Sequence, residues 1–495
     1  MIIKKNKSEI EAFLVDAANY TGFCDEVYFP ESEDDIVQIV KLANKKKKKI
    51  TIAGNGTGLT GSRVPEGGVV VSMSKMNKVV EINAAKKFAI LQPAVILRDF
   101  QELLYEKKLF YPPDPTEQDS FIGANIATNA SGAKSFKYGA TRNYVLELRI
   151  VLPNGEIVEI KRNKIFAKEN RIILHTQNDK EILLDIPKYL MPKTKHAAGY
   201  FVKDNMDAID LFIGSEGTLG VITEAKLKLL DAPKNLMSGI VFFNDEDNAF
   251  NFANDVRAKS IQNRNSEDLA KINARGLEFF DFYSLQFLKS DYPQIKNEYN
   301  AAIWFEQESE ATIEDSLLDN WITLIEKHSA DIEATWFAAD NTELKKFKNF
   351  RHEISSKVSE FVVNKGVKKV GTDTAVPVEH FKIFYEEMKK SVKEHSINYV
   401  CYGHIGDCHL HLNMLPSNQI EFEEAKKLYR NFCKLAVQLG GTISAEHGIG
   451  KMKKDYLLDM YGENNIKQMA KLKNQLDPNR ILGIGNIFEE KYLYD

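Results

Sequence analysis

Residues 53–61 read Ala-Gly-Asn-Gly-Thr-Gly-Leu-Thr-Gly, and the residues after them decide which folds remain open to the chain. Gly56-Thr57-Gly58-Leu59-Thr60-Gly61 is a literal G-x-G-x-x-G. In a doubly wound parallel sheet that fingerprint works because a helix starts within it and points its N-terminus at a pyrophosphate. Here Ser62-Arg63-Val64-Pro65-Glu66-Gly67-Gly68 comes next and strand character resumes at Val69, so no helix fits. Glu81, at a tempting distance for a ribose contact, does not restore the motif. What survives is an anion nest: glycines let backbone N–H groups surround phosphate oxygens, and that chemistry needs no helix.

The flanking sequence predicts an α+β fold. Ser32 and Asp35 stand at capping-box distance ahead of Ile36, Ile39, Val40 and Ala43, the spacing of an amphipathic helix that runs out into Lys45 to Lys49. Those lysines read as a solvated helix end that complements the helix dipole rather than as a polyanion site. Strands are expected at Ile50-Thr51-Ile52, Val69 to Val71, Val79 to Ile82, Ala89 to Leu91, Leu146 to Leu152 and Ile157 to Ile160, with a helix from Leu97 to Glu106. The elements do not alternate strictly as βαβ, which argues against a parallel doubly wound sheet. The polar stretch 161–195 reads as a hairpin or loop excursion, and 235–395 alternates helical segments with strands as a second domain would.

A length of 495 residues suggests two or three folded units. The 66 Lys and Arg against 70 Asp and Glu leave a net charge of −4, which removes the electrostatic footprint of a nucleic-acid binder. The N-terminus, MIIKKNKSEIEAF, lacks an apolar signal segment, and no stretch approaches about 18 uninterrupted apolar residues, so the expected location is cytoplasmic. Cys24, Cys401, Cys408 and Cys433 form no C-x-x-C pair and are expected to be reduced thiols.

Chemistry concentrates in later segments. Pro112-Pro113-Asp114-Pro115 precedes Ile122-Gly123-Ala124-Asn125-Ile126-Ala127-Thr128-Asn129-Ala130-Ser131-Gly132, small and neutral enough to pack against a flat ligand. Phe212-Ile213-Gly214-Ser215-Glu216-Gly217-Thr218-Leu219-Gly220 is a further glycine turn, leading into Val221-Ile222-Thr223. In His404-Ile405-Gly406-Asp407-Cys408-His409-Leu410-His411-Leu412-Asn413, strand alternation puts His409, His411 and Asn413 on one face. Gly406 permits a turn that brings His404 round to join them, and Glu446-His447 would complete the group from a distant segment. Two neutral imidazoles with a carboxylate make a site for a borderline-hard divalent ion with an open position for a substrate oxygen. Alternation turns Cys408 to the other face, so it is left out.

Together these motifs, with Y-G-A-T-R-N-Y-V between them, resemble the FAD-linked oxidoreductases of the vanillyl-alcohol-oxidase type. The likeness is strongest to their D-2-hydroxyacid dehydrogenase branch, which includes D-lactate dehydrogenases, the glycolate oxidase flavin subunit and D-2-hydroxyglutarate dehydrogenase. Seven motifs in order span residues 28–488. The resemblance implies an FAD-binding domain of two α+β subdomains over 1–232, a substrate or cap domain over 233–455, and a segment, 456–495, that returns to the first. It implies that Gly54, Asn55, Gly56, Thr57, Gly58, Leu59, Thr60 and Gly61 hold the pyrophosphate. Gly123, Thr128, Ser131 and Gly132 would line the isoalloxazine and ribityl chain, Ile222 the adenine or ribose, and Pro113, Glu216 and Gly217 would add cofactor contacts. The glycine loop carries no histidine to tether the flavin, so FAD is expected to be non-covalent.

By the same resemblance His404, His411 and Glu446 match metal ligands, zinc or a similar transition metal being expected. His447 matches the catalytic base, Asn413 lies near substrate, and Arg351 matches an arginine for the substrate carboxylate. Some relatives carry lysine where Gly371 stands, and asparagine is common where His409 stands. The implied reaction oxidises a small D-2-hydroxy acid such as D-lactate, glycolate or D-2-hydroxyglutarate to the 2-oxo acid. A base takes the hydroxyl proton while hydride goes to flavin N5. Electrons would pass to a quinone, a cytochrome or an electron-transfer flavoprotein. A quinone acceptor would allow peripheral attachment to the inner face of the membrane, and a homodimer is compatible with the sequence. Two other readings share the motifs. One is a non-redox FAD transferase of the alkyl-dihydroxyacetone-phosphate synthase type, whose run of histidines is replaced here by Ser444-Ala445-Glu446-His447. The other is a non-catalytic flavin-binding subunit of a glycolate oxidase complex.

Overall fold

In the computed structural model, which describes residues 1–338 and 340–494, the expected first helix spans Glu33–Lys46. Its cap is Ser32, whose side chain accepts from the Asp35 N–H at 3.2 Å, and Lys47 closes it in the left-handed region. Ile36, Ile39, Val40 and Ala43 bury themselves on a four-stranded sheet ordered Ile2–Lys4, Glu26–Phe29, Val69–Ser72, Ile50–Ala53. Val69–Ser72 runs parallel to both of its neighbours. The loop 54–68 between Ile50–Ala53 and Val69–Ser72 contains no helix, as its proline and glycine pair require.

A second sheet orders Val79–Asn83, Phe88–Leu91, Val221–Lys228, Val145–Val151 and Ile157–Lys161, every pair antiparallel. The mixture of a partly parallel sheet and purely antiparallel ones makes the fold α+β. The stretch 161–195 carries a hairpin, Arg171–His175 against Glu181–Asp185. Within 122–132, residues Ile122–Thr128 form a helix, ended by left-handed Asn129. A side chain at Gly123 would strike Pro93, so glycine lets this helix lie close on the preceding turn.

A third sheet of seven antiparallel strands is ordered Trp336–Phe337, Asn235–Phe243, Ala301–Ser309, Gly276–Asp281, Tyr399–His404, His409–Met414, Val370–Gly371. Gly276–Asp281 is buried along its whole length because helices cover both faces. Phe279 points to Phe250 of helix Glu246–Gln262, and Phe280 to Phe350 of helix Asn341–Lys365. After helices Lys454–Tyr461 and Glu463–Leu476 the chain returns to the first sheet. There Ile50 donates to the Ile481 carbonyl at 2.6 Å and Gly483 to the Ile50 carbonyl at 2.8 Å, while Ile481 and Leu482 join the core under Ile36 and Ile39. No helix among the described residues is long and apolar enough to cross a membrane.

Candidate active site

Tyr399–His404 and His409–Met414 form a hairpin whose connection, Ile405–Asp407, is one tight helical turn followed by left-handed Cys408. The turn sets His404 directly opposite His409 and Tyr402 opposite His411. Three imidazoles therefore crowd one patch, with ring centroids 4.5 Å apart for His409 and His411 and 5.4 Å for His404 and His409. Glu446 arrives from the segment after helix Gln419–Gln438. Its Oε1 lies 3.2 Å from His411 Nε2 and its Oε2 3.4 Å from His404 Nε2. One ligand atom from each of His404, His409, His411 and Glu446 falls within 4.8 Å of all the others.

Each of the first two rings is fixed from behind. His404 Nδ1 meets Glu278 Oε1 at 2.7 Å, and His411 Nδ1 meets the Thr372 carbonyl at 3.0 Å. Both rings thereby present Nε2 to the cluster, the outer bonding that orients metal-binding histidines. Burial alone would lower the His404 pKa, but Glu278 and Glu446 outweigh it and push it up to about 9. Burial favours a neutral Glu446, yet Lys195, 2.8 Å away, and His404 hold its carboxyl well below the usual range. Lys195 also faces Asp407 at 3.8 Å. Three carboxylates, Glu278, Glu446 and Asp407, one lysine and three imidazoles are thus concentrated around one point. The donor set of imidazole nitrogens and one carboxylate fits a borderline divalent ion, zinc among them.

Asp373 organises the other half of the site. It is 1% exposed and accepts from the backbone N–H groups of Ala445, Glu446 and His447 at 3.1–3.2 Å, from Ser444 Oγ at 2.7 Å and from Lys453 Nζ at 2.6 Å. Burial would raise its pKa; His447 and Lys453 outweigh that and hold it well below the carboxylate range. One buried acid therefore shapes the turn that carries both Glu446 and His447. His447 Nδ1 faces Asp373 Oδ2 at 3.4 Å, and its ring stacks on His411 with centroids 5.5 Å apart. Burial pushes its pKa down to about 4, so the ring is neutral near pH 7.

His447 also lines a cleft whose empty space, open solvent included, is about 950 Å³. Gly54, Asn55, Gly56, Thr57, Gly58 and Thr60 line it from the glycine loop. Gly123 and Thr128 line it from the helix, and Glu216, Gly217 and Ile222 from the third turn. Among the described residues the N–H groups of Gly56, Thr57 and Gly58 find no acceptor in the chain, and a Cβ on Gly58 would meet open space. Free amides in an uncluttered loop fit a pyrophosphate, and the cleft is of the size that encloses a cofactor. Arg63, from the same loop, adds a guanidinium to the lining.

Five of the expected cofactor residues lie off this cleft's lining. Leu59 is 43% exposed, and the Gly61 N–H is taken by Asp16 Oδ2 at 2.7 Å. The Pro113 carbonyl accepts from Gln101, the Ser131 hydroxyl is buried without a partner, and Gly132 backs onto the Asp114 carbonyl. Glu216 lines the cleft but spends its carboxylate internally, accepting from Ile449 and Gly450 N–H groups at 2.7 Å and from Ser62 Oγ at 2.6 Å. Glu216 thus ties the glycine loop to the segment after His447. Arg351, 8% exposed, lies 3.1 Å from Glu278 Oε2 and is therefore one residue removed from His404. Asn413 is buried, donates to the His411 carbonyl at 3.2 Å, and would collide with any side chain at Gly371.

Lys195, Glu278, Asp373 and Lys453 escaped the sequence reading as site residues. Asp373 lies in a short polar segment, Thr372-Asp373-Thr374, and nothing in it reveals that its acid caps a turn 71 residues later. Lys195 sits in a polar stretch without any signal of its own.

The chain matches the FAD binding domain family over residues 25–161 and the family of FAD linked oxidases, C-terminal domain, over residues 232–487. It is 29% identical to the glycolate oxidase subunit GlcD of Bacillus subtilis, covering 95% of this chain and 90% of that protein. It is 30% identical to a D-lactate dehydrogenase of Anaerostipes hadrus, covering 92% and 88%. Among solved structures, 4-ethylphenol oxidase from Gulosibacter chungangensis superposes with a TM-score of 0.70 over 99% of this chain and 95% of that one, at 17% identity, a likeness of fold.

Proposed function

Because this chain belongs to the FAD-linked oxidases and is an FAD-dependent oxidoreductase, we propose that it oxidises a small D-2-hydroxy acid of the D-lactate or glycolate kind to the 2-oxo acid with metal assistance. One observation carries the reading: the His447 ring lines the cofactor cleft and stacks on an imidazole of the candidate metal cluster. Bound FAD supplies the two-electron acceptor, and a bound divalent ion supplies a Lewis acid that lowers the hydroxyl pKa. Gly54 to Gly58 and Thr60 hold the dinucleotide; His404, His411 and Glu446 hold the metal. His447 takes the hydroxyl proton at Nε2, since Nδ1 faces Asp373, which orients the ring and steadies the imidazolium. Arg351 supplies positive charge for the substrate carboxylate, with Asn413 beside it. A quinone, a cytochrome or an electron-transfer flavoprotein then receives the electrons.

Anaerobic mixing of the flavin-loaded protein with D-lactate, glycolate and D-2-hydroxyglutarate is the test. At least one is expected to bleach the yellow flavin band, and chelation is expected to abolish bleaching while leaving flavin bound. Failure of all three to bleach it would refute the reading. His447→Asn is expected to keep the flavin and to slow its reduction about 10²–10⁴-fold.

A further inference from the structure

His409 is a buried imidazole whose ring nitrogens find no hydrogen-bond partner in the fold. It is 0% exposed, on the same strand face as His411 and directly across the hairpin from His404. His404 and His411 each spend Nδ1 on a protein acceptor, whereas neither ring nitrogen of His409 has a hydrogen bond in the chain. Asp373 Oδ1 lies 3.3 Å from His409 Nε2, outside hydrogen-bonding direction. That carboxylate is already filled by three backbone N–H groups, Ser444 Oγ and Lys453 Nζ, against about four lone-pair sites. A fully enclosed imidazole with both nitrogens unpaired carries an uncompensated desolvation cost that a bound ion would offset.

We infer that His409 is a fourth protein ligand of the metal, making the centre three imidazoles and one carboxylate rather than two and one. This rests on the metal-assisted reading above. The ligand atoms already lie within 4.8 Å of one another, so an ion can be reached by small side-chain shifts. A third nitrogen donor moves the preference away from oxygen-seeking ions such as magnesium and manganese toward cobalt and zinc. It also takes a coordination position that water would otherwise fill, leaving fewer places for substrate oxygen.

The test uses the flavin-loaded full chain, stripped with chelator and reloaded with Co²⁺ as the probe. X-ray absorption at the cobalt edge counts the imidazole donors, and equilibrium titration gives the dissociation constant, neither of which depends on turnover. About three imidazoles are expected in the wild type and two in His409→Asn, with binding at least about 10-fold weaker in the variant. Two imidazoles in the wild type would overturn the inference without any variant, and so would unchanged affinity and donor count in a His409→Asn protein that retains its flavin spectrum. If the wild type binds no Co²⁺ while His404→Asn and His411→Asn leave flavin reduction intact, the metal-assisted reading fails and takes this inference with it.

Discussion

Glu278 is the side chain that joins His404 of the candidate cluster to Arg351. Its Oε1 fixes His404 at 2.7 Å and its Oε2 lies 3.1 Å from Arg351 Nε. Burial would raise its pKa, but Arg351 and His404 bring it down to about 2, so it is charged at any working pH. Glu278→Gln keeps the shape and removes the charge. Metal affinity is expected to fall about 10–100-fold, as for other outer partners of ligating histidines, with flavin content unchanged. Equilibrium metal titration checks this, and unchanged affinity would remove Glu278 from the site. Glu278 falls within an apolar strand, Gly276–Asp281, where a sequence reading assigns it only to the core.

The hairpin of the two histidine strands and the turn 444–450 are the elements that assemble the chemistry. Alternation along His409–Met414 was legible because the side-chain period of a strand is two. The close approach of His404 to His409 was legible only as a permission given by Gly406. The turn 444–450 is different, since its shape comes from Asp373 and Glu216, both remote in sequence. Gly450 has φ +52°, and a Cβ there would strike the Thr60 carbonyl of the glycine loop. Gly450→Ala is therefore expected to cost about 1–2 kcal/mol from the left-handed backbone alone. It is also expected to weaken FAD binding, because the loop must give way. Flavin fluorescence titration together with denaturant unfolding reads both, and an unaltered dissociation constant would show that the loop does not depend on this contact.

The returning C-terminal segment packs back on the first sheet and on the turn beside Gly217. Lys473, 1% exposed, donates to the carbonyls of Thr218 and Leu482 at 2.8 and 2.7 Å and pairs with Asp477 at 2.9 Å. It thereby joins the last helix to the turn beside Gly217. Lys473→Met leaves Asp477 buried without its counter-charge, a loss expected at about 3–5 kcal/mol in a denaturant titration. Opposite shifts of buried histidines predict a stability maximum. Burial, with the neighbouring arginine, pushes His196 and His352 down to about 4, so both are neutral in the fold. With an unfolded pKa of about 6.5, the unfolded chain binds more protons between about 6.5 and 4, and stability falls as pH falls through that window. His404, raised to about 9, acts oppositely: its contribution is complete below about 6.5 and is lost as pH rises through 9. Denaturation midpoints of the metal-free protein are expected to peak near neutrality; a steady rise from acid to alkaline pH would contradict the His404 assignment.

Local order was written in the residues themselves. Ser32 capping its helix, the helix-free loop after Gly61 and the face shared by His409 and His411 each follow from interactions within a few positions of the chain, where backbone geometry leaves little choice. Resemblance added the identity of the motifs but not their supports. Asp373 beneath 444–447, Lys195 against Glu446 and Glu278 between Arg351 and His404 join residues 71, 251 and 73 or 126 positions apart. Such pairs exist only because separate sheets and the returning tail pack together. Burial then strips water from the charges and leaves each ion to find its partner inside the protein, a choice no single segment contains.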